Sequence, residues 1–259
     1  MDVPPTCSLA THYFCLNNSP TCCGNCNNNG NTCHVGCSNP CGTACLDTSG
    51  CFACPPNTTF EGCNPALGPG PECSSTPIVL DPFDQGFHLT SIAKGVKFRV
   101  APNGPLNQMS WTDAAWKNGW LALDRDGNGT IDNFGELFGD VTPQPPGNDK
   151  NGFRALAVFD DPANGGNGNG VIDPGDAVYS HLRVWIDANH NGISEPNELH
   201  TLPELGIFKI GLRYSNSPFI DPYGNRFRYR GTVWDSADHG RDVCYDVMLQ
   251  VQVNTGASK

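Results

Sequence analysis

The chain has 259 residues and a formal net charge of −11, although only 16% of its residues are charged. This acidity excludes a nucleic-acid-binding face, which requires clustered basic side chains. No apolar run approaches the roughly 18 residues that a membrane-spanning helix needs. The 30 glycines and 22 prolines require much of the chain to be loop and turn. An acidic, turn-rich chain favours divalent cations as ligands.

The first third of the chain is dominated by cysteine. Thirteen of the 14 cysteines lie between Cys7 and Cys73, which is compatible with a disulfide-stapled domain or with a metal cluster. Zinc domains use fewer ligands, usually as two separated pairs, and often include histidine. We therefore expect an irregular, disulfide-rich domain over residues 1–76. Disulfides require an oxidising compartment, so we expect the protein to be secreted and to lie outside the cell or on its surface.

The second domain is expected over residues 77–259, where the cysteine-rich composition stops. Its apolar residues alternate with polar ones in several short segments, as half-buried strands require. We expect an α+β fold of small antiparallel sheets, short helices and EF-hand-like calcium loops, with a loop-and-helix core at 77–206 and a β-meander at 207–259. The predicted strands cover residues 96–100, 208–214, 227–233 and 243–251, and the predicted helices cover residues 152–159, 174–182 and 195–205.

The fourteenth cysteine, Cys244, lies in the last alternating segment. It falls on the face opposite Val243 and Val247, which predicts an accessible side chain. Because thirteen is an odd number, we expect Cys244 to form a disulfide with one of the other cysteines. An unpaired or intermolecular thiol is the alternative.

The first acidic loop begins at Asp124. It has oxygen-bearing side chains at positions 1, 3, 5 and 9 of an EF-hand-type loop and a glycine at position 6. The closing acid comes one residue late, because Gly135 occupies position 12 and Glu136 follows it. A slightly longer loop would still bring Glu136 to the ion. The predicted ligands are Asp124, Asp126, Asn128, Thr130, Asp132 and Glu136.

The second acidic loop is interrupted. Residues 167–176 match positions 3 to 12, but Gly165 stands at position 1. The nearest acids upstream are Asp160 and Asp161, which precede an insert at 162–165. Either an enlarged loop allows Asp160 to coordinate the ion, or the site is weak. The candidate ligands are Asp160, Asn167, Asn169, Val171, Asp173 and Asp176.

The third acidic loop, at residues 187–198, matches the pattern D-x-[DN]-x-[DN]-G-x5-E at every position. Calcium is a hard cation that takes six to eight oxygens, so side chains at positions 1, 3 and 5 converge on it. Gly192 permits the sharp turn, and Glu198 closes the site. The alternative is a surface turn rich in Asp and Asn. The predicted ligands are Asp187, Asn189, Asn191, the carbonyl of Ile193, Glu195 and Glu198.

These loops and their flanks resemble the self-processing module of iron-regulated RTX proteins. The resemblance implies a calcium-triggered fold. In some members it also implies cleavage of an Asp-Pro bond just before the module, where the aspartate carboxylate attacks its own carbonyl and the resulting anhydride can be captured by a lysine. The likeness runs through residues 77–81, 121–140, 152–157, 182–187 and 199–206, and covers about residues 77–214.

The present sequence departs from the family at the cleavage position. The bond there is Thr76–Pro77, and threonine has no carboxylate. Asp81–Pro82 is an Asp-Pro bond, but it lies inside the module, where the family has an acidic loop that precedes the three loops described above. In the present sequence that loop has lost most of its acids, and the segment at 99–104 has lost its acids too. We therefore expect no enzymatic activity, no catalytic residue and no cofactor besides calcium.

The function predicted from the sequence is that of a non-enzymatic, secreted, calcium-binding protein with a structural or adhesive role, such as a subunit of a surface appendage or matrix. Its expected partners are calcium and either further copies of the chain or a cell-surface or matrix component. One alternative is a calcium-dependent Asp-Pro self-cleaving and cross-linking module. Another is a dockerin-like recognition module, although dockerins are much shorter.

Two further patterns carry less information. Trp120 and Trp185 lie in apolar runs, which favours core packing over a surface for stacking ligands. The alternating Arg226, Arg228 and Arg230 favour local salt bridges or a solvated face over an anionic partner.

Overall fold

In a computed structural model of the chain, the described residues are 76–147 and 149–252, together with two short strands nearer the N-terminus. These strands, β1 (Asn25–Cys26) and β2 (Cys33–His34), pair antiparallel. The rest of the cysteine-rich segment lies outside the described residues. The disulfide-rich domain and the boundary at 76 therefore stay predictions.

An eight-stranded sheet dominates residues 76–252, and each of its strand pairs is antiparallel. The strand that opens this region, β3 (Ile78–Leu80), lies inside the sheet and not at its edge. From one edge to the other the strands are β7 (Val171–Ile172), β10 (Lys209–Asn216), β11 (Arg226–Trp234), β12 (Gly240–Met248), β3 (Ile78–Leu80), β6 (Gly119–Ala122), β8 (Arg183–Trp185) and β9 (Leu199–Thr201).

A three-stranded sheet accompanies the larger one, in the order β13 (Val251–Gln252), β5 (Leu106–Met109) and β4 (Val96–Arg99). The α-helix of the described part, α1 (Gly152–Ala157), has six residues, and the side chain of Asn151 caps it by accepting a hydrogen bond from the Arg154 amide. None of the described helices is long and apolar enough to cross a membrane. Short 3₁₀ turns occur at Ile92–Lys94, Phe134–Glu136, Pro162–Asn164, Tyr179–His181 and Pro203–Leu205.

The predicted α+β class is wrong, because the described residues form a mainly antiparallel β fold. The helix predicted at 174–182 is a series of turns that ends in a 3₁₀ turn, and the one predicted at 195–205 contains β9 and another 3₁₀ turn. Leu199 pairs with Trp185 of β8, so cross-strand pairing determines its conformation. These segments are too short for their apolar pattern to favour a helix over cross-strand pairing.

The large sheet is buried on both faces at its central strands β3 and β6. Within β3, Ile78 and Leu80 belong to one apolar cluster and Val79 belongs to the other, and all three side chains are fully buried. Trp120 and Trp185 lie in the second cluster, as their apolar runs predicted. They pack around Trp111, with ring centroids 5.0 and 5.4 Å from it.

Cys244 is fully buried, so the predicted accessibility is wrong. Its position pairs with Leu80 of β3, and its side chain packs in the same apolar cluster. Alternation predicts an accessible side chain only where one face of a strand is solvated, whereas both faces of β12 are covered at Cys244. The disulfide partner expected for Cys244 lies outside the described residues.

Candidate metal centre

The loop at 124–136 follows β6 directly and folds around its first acid. The two carboxylate oxygens of Asp124 accept hydrogen bonds from the amides of Asn128 at 3.2 Å and Gly129 at 2.8 Å. Gly127 and Gly129 have φ of +74° and +85°, a region that side chains disfavour. Oxygens of Asp124, Asp126 and Glu136 lie within 4.8 Å of one another. The structure therefore brings together three of the ligands predicted for this loop.

The late closing acid of this loop is accommodated by a 3₁₀ turn, Phe134–Glu136. The carboxylate of Glu136 is 3% exposed and accepts hydrogen bonds from the amides of Arg125 at 3.2 Å and Asp132 at 2.9 Å. Burial and the negative charges of Asp132 and Asp126 raise the pKa of Glu136, whereas the hydrogen bonds from the Asp132 and Arg125 amides oppose the rise. A cation beside this carboxylate would offset the effects of burial and of the two charges.

The loop at 187–198 follows β8 and repeats this geometry. Asp187 accepts hydrogen bonds from the amides of Asn191 at 3.1 Å and Gly192 at 2.9 Å. Glu198 is 2% exposed, and its oxygens accept hydrogen bonds from the Ala188 amide at 2.9 Å and the Trp185 indole at 3.2 Å. The first and last acids of this loop are thus fixed by the protein itself.

Two glutamates of the same loop interact closely. Burial raises the pKa of Glu198, and the neighbouring Glu195 adds to the rise. The pKa of Glu195 is lowered, chiefly by the hydrogen bond that the Asn191 side chain donates to it at 2.8 Å. Asn189 donates to the same oxygen at 3.3 Å. Four of the predicted ligands therefore form one connected group.

The interrupted loop at 160–176 has its first acid at Asp160. Asp160 accepts hydrogen bonds from the amides of Asn169 at 3.1 Å and Gly170 at 2.9 Å. Asp124 and Asp187 accept the same two bonds from the residues at positions 5 and 6 of their own loops. The insert folds into a 3₁₀ turn that ends at Gly165 with φ +85°. Asp176 closes the loop and accepts from the Asn167 amide at 3.0 Å. The enlarged loop places Asp160 at its first position, and coordination of an ion by Asp160 stays a prediction.

The remaining predicted ligands lie on the rims of the three loops. Side-chain oxygens at position 5 bond the amides of position 7 at 2.7–3.0 Å. The carbonyls predicted as ligands belong to these position-7 residues. The position-5 and position-7 residues are Asn128 and Thr130, Asn169 and Val171, and Asn191 and Ile193, while Asp132 and Asp173 hold position 9 of the first two loops.

A fourth loop, at 81–86, has the same backbone shape without the ligands. Asp81 accepts a hydrogen bond from the Gly86 amide at 2.6 Å, and both Asp84 and Gly86 have left-handed φ. However, positions 3 and 5 are Phe83 and Gln85, and a lysine ammonium lies 5.0 Å from the centre of the Phe83 ring. The sequence revealed the loss of acids but gave no sign that the loop shape persists.

The predicted ligands of the three acidic loops are all oxygen atoms, from carboxylates, amide side chains and backbone carbonyls. This donor set fits a hard divalent cation such as Ca²⁺, which takes six to eight oxygens. The chemistry of the described residues therefore agrees with the expected ion, while occupancy of each loop stays a prediction.

A second cluster of polar groups surrounds Thr76, where the module begins. Thr76 is 1% exposed, its amide donates to Asp140 Oδ1 at 2.9 Å, and its hydroxyl accepts from the Asp140 amide at 3.0 Å. The hydroxyl also bonds to Asp246, which is fully buried and paired with Arg228 at 3.1 Å. The Arg228 pair agrees with the local salt bridge that the arginine row predicted.

Burial affects both acids of this junction. It raises the pKa of Asp140 to about 6. It also raises the pKa of Asp246, against the opposing charge of Arg228. Gly139 lies so close to Thr76 that a Cβ there would come 1.3 Å from the Thr76 carbonyl oxygen. The peptide bond between Thr76 and Pro77 is therefore tightly enclosed by acids and backbone.

Comparison with known proteins identifies the class to which this fold and these loops belong. The model of the SPM domain family matches residues 78–250, and the chain belongs to that family. It is also 42% identical over 144 residues to the iron-regulated protein FrpA of Neisseria meningitidis serogroup C. The match covers 54% of this chain but only 12% of FrpA. The predicted resemblance to the module of iron-regulated proteins is thus confirmed.

Proposed function

We propose that this chain is a calcium-binding structural or adhesive protein of the extracellular space, whose SPM domain folds around calcium and does not cleave itself. The observation that carries the proposal is the geometry repeated in three loops. In each, the first acid bonds the amides of positions 5 and 6, and the last acid is buried and held by backbone amides.

Calcium binding and folding are linked in this proposal. Without a bound cation, the acids of each loop repel one another, and Glu136 and Glu198 remain desolvated. Extracellular modules bind calcium with dissociation constants of roughly 10⁻⁴ to 10⁻³ M. Calcium at ~1 mM therefore contributes about 0.4 to 1.4 kcal/mol of stability per site.

Calorimetric titration and thermal unfolding of the whole chain test the proposal. We expect three calcium ions to bind and EGTA to lower the melting temperature. Glu198→Gln should weaken calcium binding and lower the melting temperature in calcium, whereas Glu204→Gln, which alters an exposed glutamate outside the loops, should leave calcium binding unchanged. A thermal transition that EGTA leaves unmoved would overturn the calcium proposal.

The structural or adhesive part of the proposal is supported by the cysteine-rich segment, which suits an oxidising exterior. It predicts association with further copies of the chain or with a surface or matrix component. Light scattering of the native protein with and without calcium measures the first of these.

Self-cleavage is the second candidate function, and the enclosed Thr76–Pro77 bond is the observation that favours it. Denaturing gel electrophoresis after incubation with calcium or EGTA separates the two candidates. A calcium-dependent fragment that ends at Thr76 or Asp81 would replace the non-enzymatic proposal with this one. The dockerin-like alternative loses support, because strands and 3₁₀ turns stand where loop–helix repeats would need helices.

A further inference from the structure

The first and third acidic loops are joined by one buried serine. The hydroxyl of Ser194 accepts a hydrogen bond from the Ile131 amide at 2.6 Å and donates one to the Ile131 carbonyl at 3.2 Å. Both residues are nearly inaccessible, at 3% and 1% exposure. Each holds position 8 of its loop, directly after the carbonyl predicted to bind the ion.

The Ser194 hydroxyl satisfies both backbone groups of Ile131 at once, because a hydroxyl carries one proton and two lone pairs. A shift of either loop breaks both hydrogen bonds and leaves a buried amide and carbonyl unpaired, which is costly. The position of one loop is therefore tied to the position of the other.

Strand β4 supplies a second connection between the same loops. Gly192 packs against Val96, where an added Cβ would lie 3.0 Å from a Val96 methyl group. Asn133 of the first loop forms a β-bridge with Arg99 at the other end of the strand. Both loops therefore rest on one short strand.

We propose that these two loops bind calcium cooperatively and that Ser194 is the positioning residue that couples them. The inference rests on the proposed function, since it requires both loops to bind the ion. Ordering of one loop fixes its position-7 carbonyl and, through Ser194, the same region of its partner. The second ion then meets a loop that has already been ordered, which is positive coupling.

Calorimetric titration of the whole chain with calcium chloride tests this coupling. Ser194→Ala should leave the number of bound ions unchanged, make the binding curve less steep and weaken the apparent affinity of the paired loops at least about 5-fold, the lower end of typical coupling. Ser180→Ala is the matched control, because Ser180 is exposed and lies outside the loops.

A second measurement leaves Ser194 in place and reads each loop separately from the amide signals of Gly129 and Gly192 in nuclear magnetic resonance spectra. Coupling must be reciprocal. At calcium concentrations that leave the altered loop empty, Glu198→Gln should therefore weaken binding at the first loop by the same factor by which Glu136→Gln weakens binding at the third.

The outcomes are distinguishable. Wild-type protein that binds no calcium would overturn the proposed function together with the coupling. Normal stoichiometry with an unchanged titration in Ser194→Ala, or one-sided effects of the two glutamate variants, would overturn the coupling alone.

Discussion

The side chain at position 76 lies where the self-cleaving relatives implied by the resemblance carry aspartate. Thr76→Asp would place a carboxylate beside Asp140 and Asp246, next to its own carbonyl. We expect slow, calcium-dependent cleavage before Pro77 in this variant, because the tertiary amide of proline weakens the trans preference of the bond. Mass spectrometry of the fragments identifies the cleavage site.

Thr76→Asn is the matched control, since it has the shape of aspartate without the acid. Neither this variant nor the wild-type chain should be cleaved during hours in millimolar calcium. Cleavage of the asparagine variant at the same rate would show that a carboxylate at 76 is not the attacking group.

Asp140 makes stability depend on pH, because burial raises its pKa from 3.8 to about 6. Below about pH 4 the carboxyl is protonated in both the folded and unfolded chains. Between pH 4 and 6 the unfolded chain loses this proton first, so stability falls as the pH rises through the pKa of the folded state. A shift of this size corresponds to about 3 kcal/mol.

Asp140→Asn removes this titration and keeps an oxygen that can accept from the Thr76 amide. Denaturant unfolding at pH 5 and 7.5 in saturating calcium should show that the wild-type chain loses more stability over this range than the variant. Asp246 is present in both proteins, and its negative charge contributes to the raised pKa of Asp140. Equal losses in the two proteins would contradict the assignment to Asp140.

Among the structural elements, the acidic loops were predictable from sequence because the spacing of their ligands is local. The short central strands were not. All four residues of β6 and all three of β3 are buried, so these strands lack the alternation that marks a half-solvated strand. In strands β4 and β10, one side is more polar than the other. Both strands lie in segments where the alternation of apolar and polar residues predicted a strand.

The interrupted loop can be tested with two adjacent acids. Asp160 bonds the amides of Asn169 and Gly170, whereas the exposed Asp161 caps the 3₁₀ turn of the insert. Asp160→Asn should reduce the calcium stoichiometry by one, because it removes the charge at the first ligand position. Asp161→Asn should leave three ions bound. Equal stoichiometry in both variants would show that this loop holds no calcium in the wild-type chain.

For the whole molecule, the loop motif led to the wrong fold class. EF-hand-type spacing defines how a loop wraps an ion, but the helices that usually flank it are a separate feature of the sequence. Here β6 and β8 precede two of the loops, and a 3₁₀ turn or strand follows them. Non-local strand pairing between residues up to 168 positions apart, such as Ile78 with Asp246, could not be read from local patterns.

The redox state of the cysteines is a prediction about the whole chain. If all 14 are paired, the intact mass should lie ~14 Da below that of the reduced chain, or ~2 Da per bridge, and no thiol should react in denaturant without reductant. Thiols that become reactive only after a zinc chelator is added would favour a metal cluster instead.

The central place of β3 gives the chain a mechanical property. This strand directly follows the cysteine-rich segment and is bonded on one side to β12, through Leu80 and Cys244 among others, and on the other side to β6, through Val79 and Trp120. A force that pulls residue 76 away from the module must break two hydrogen-bonded ladders together, whereas an edge strand such as β9 is held by one. The point of attachment is therefore secured on both sides, and tension there is shared between two ladders.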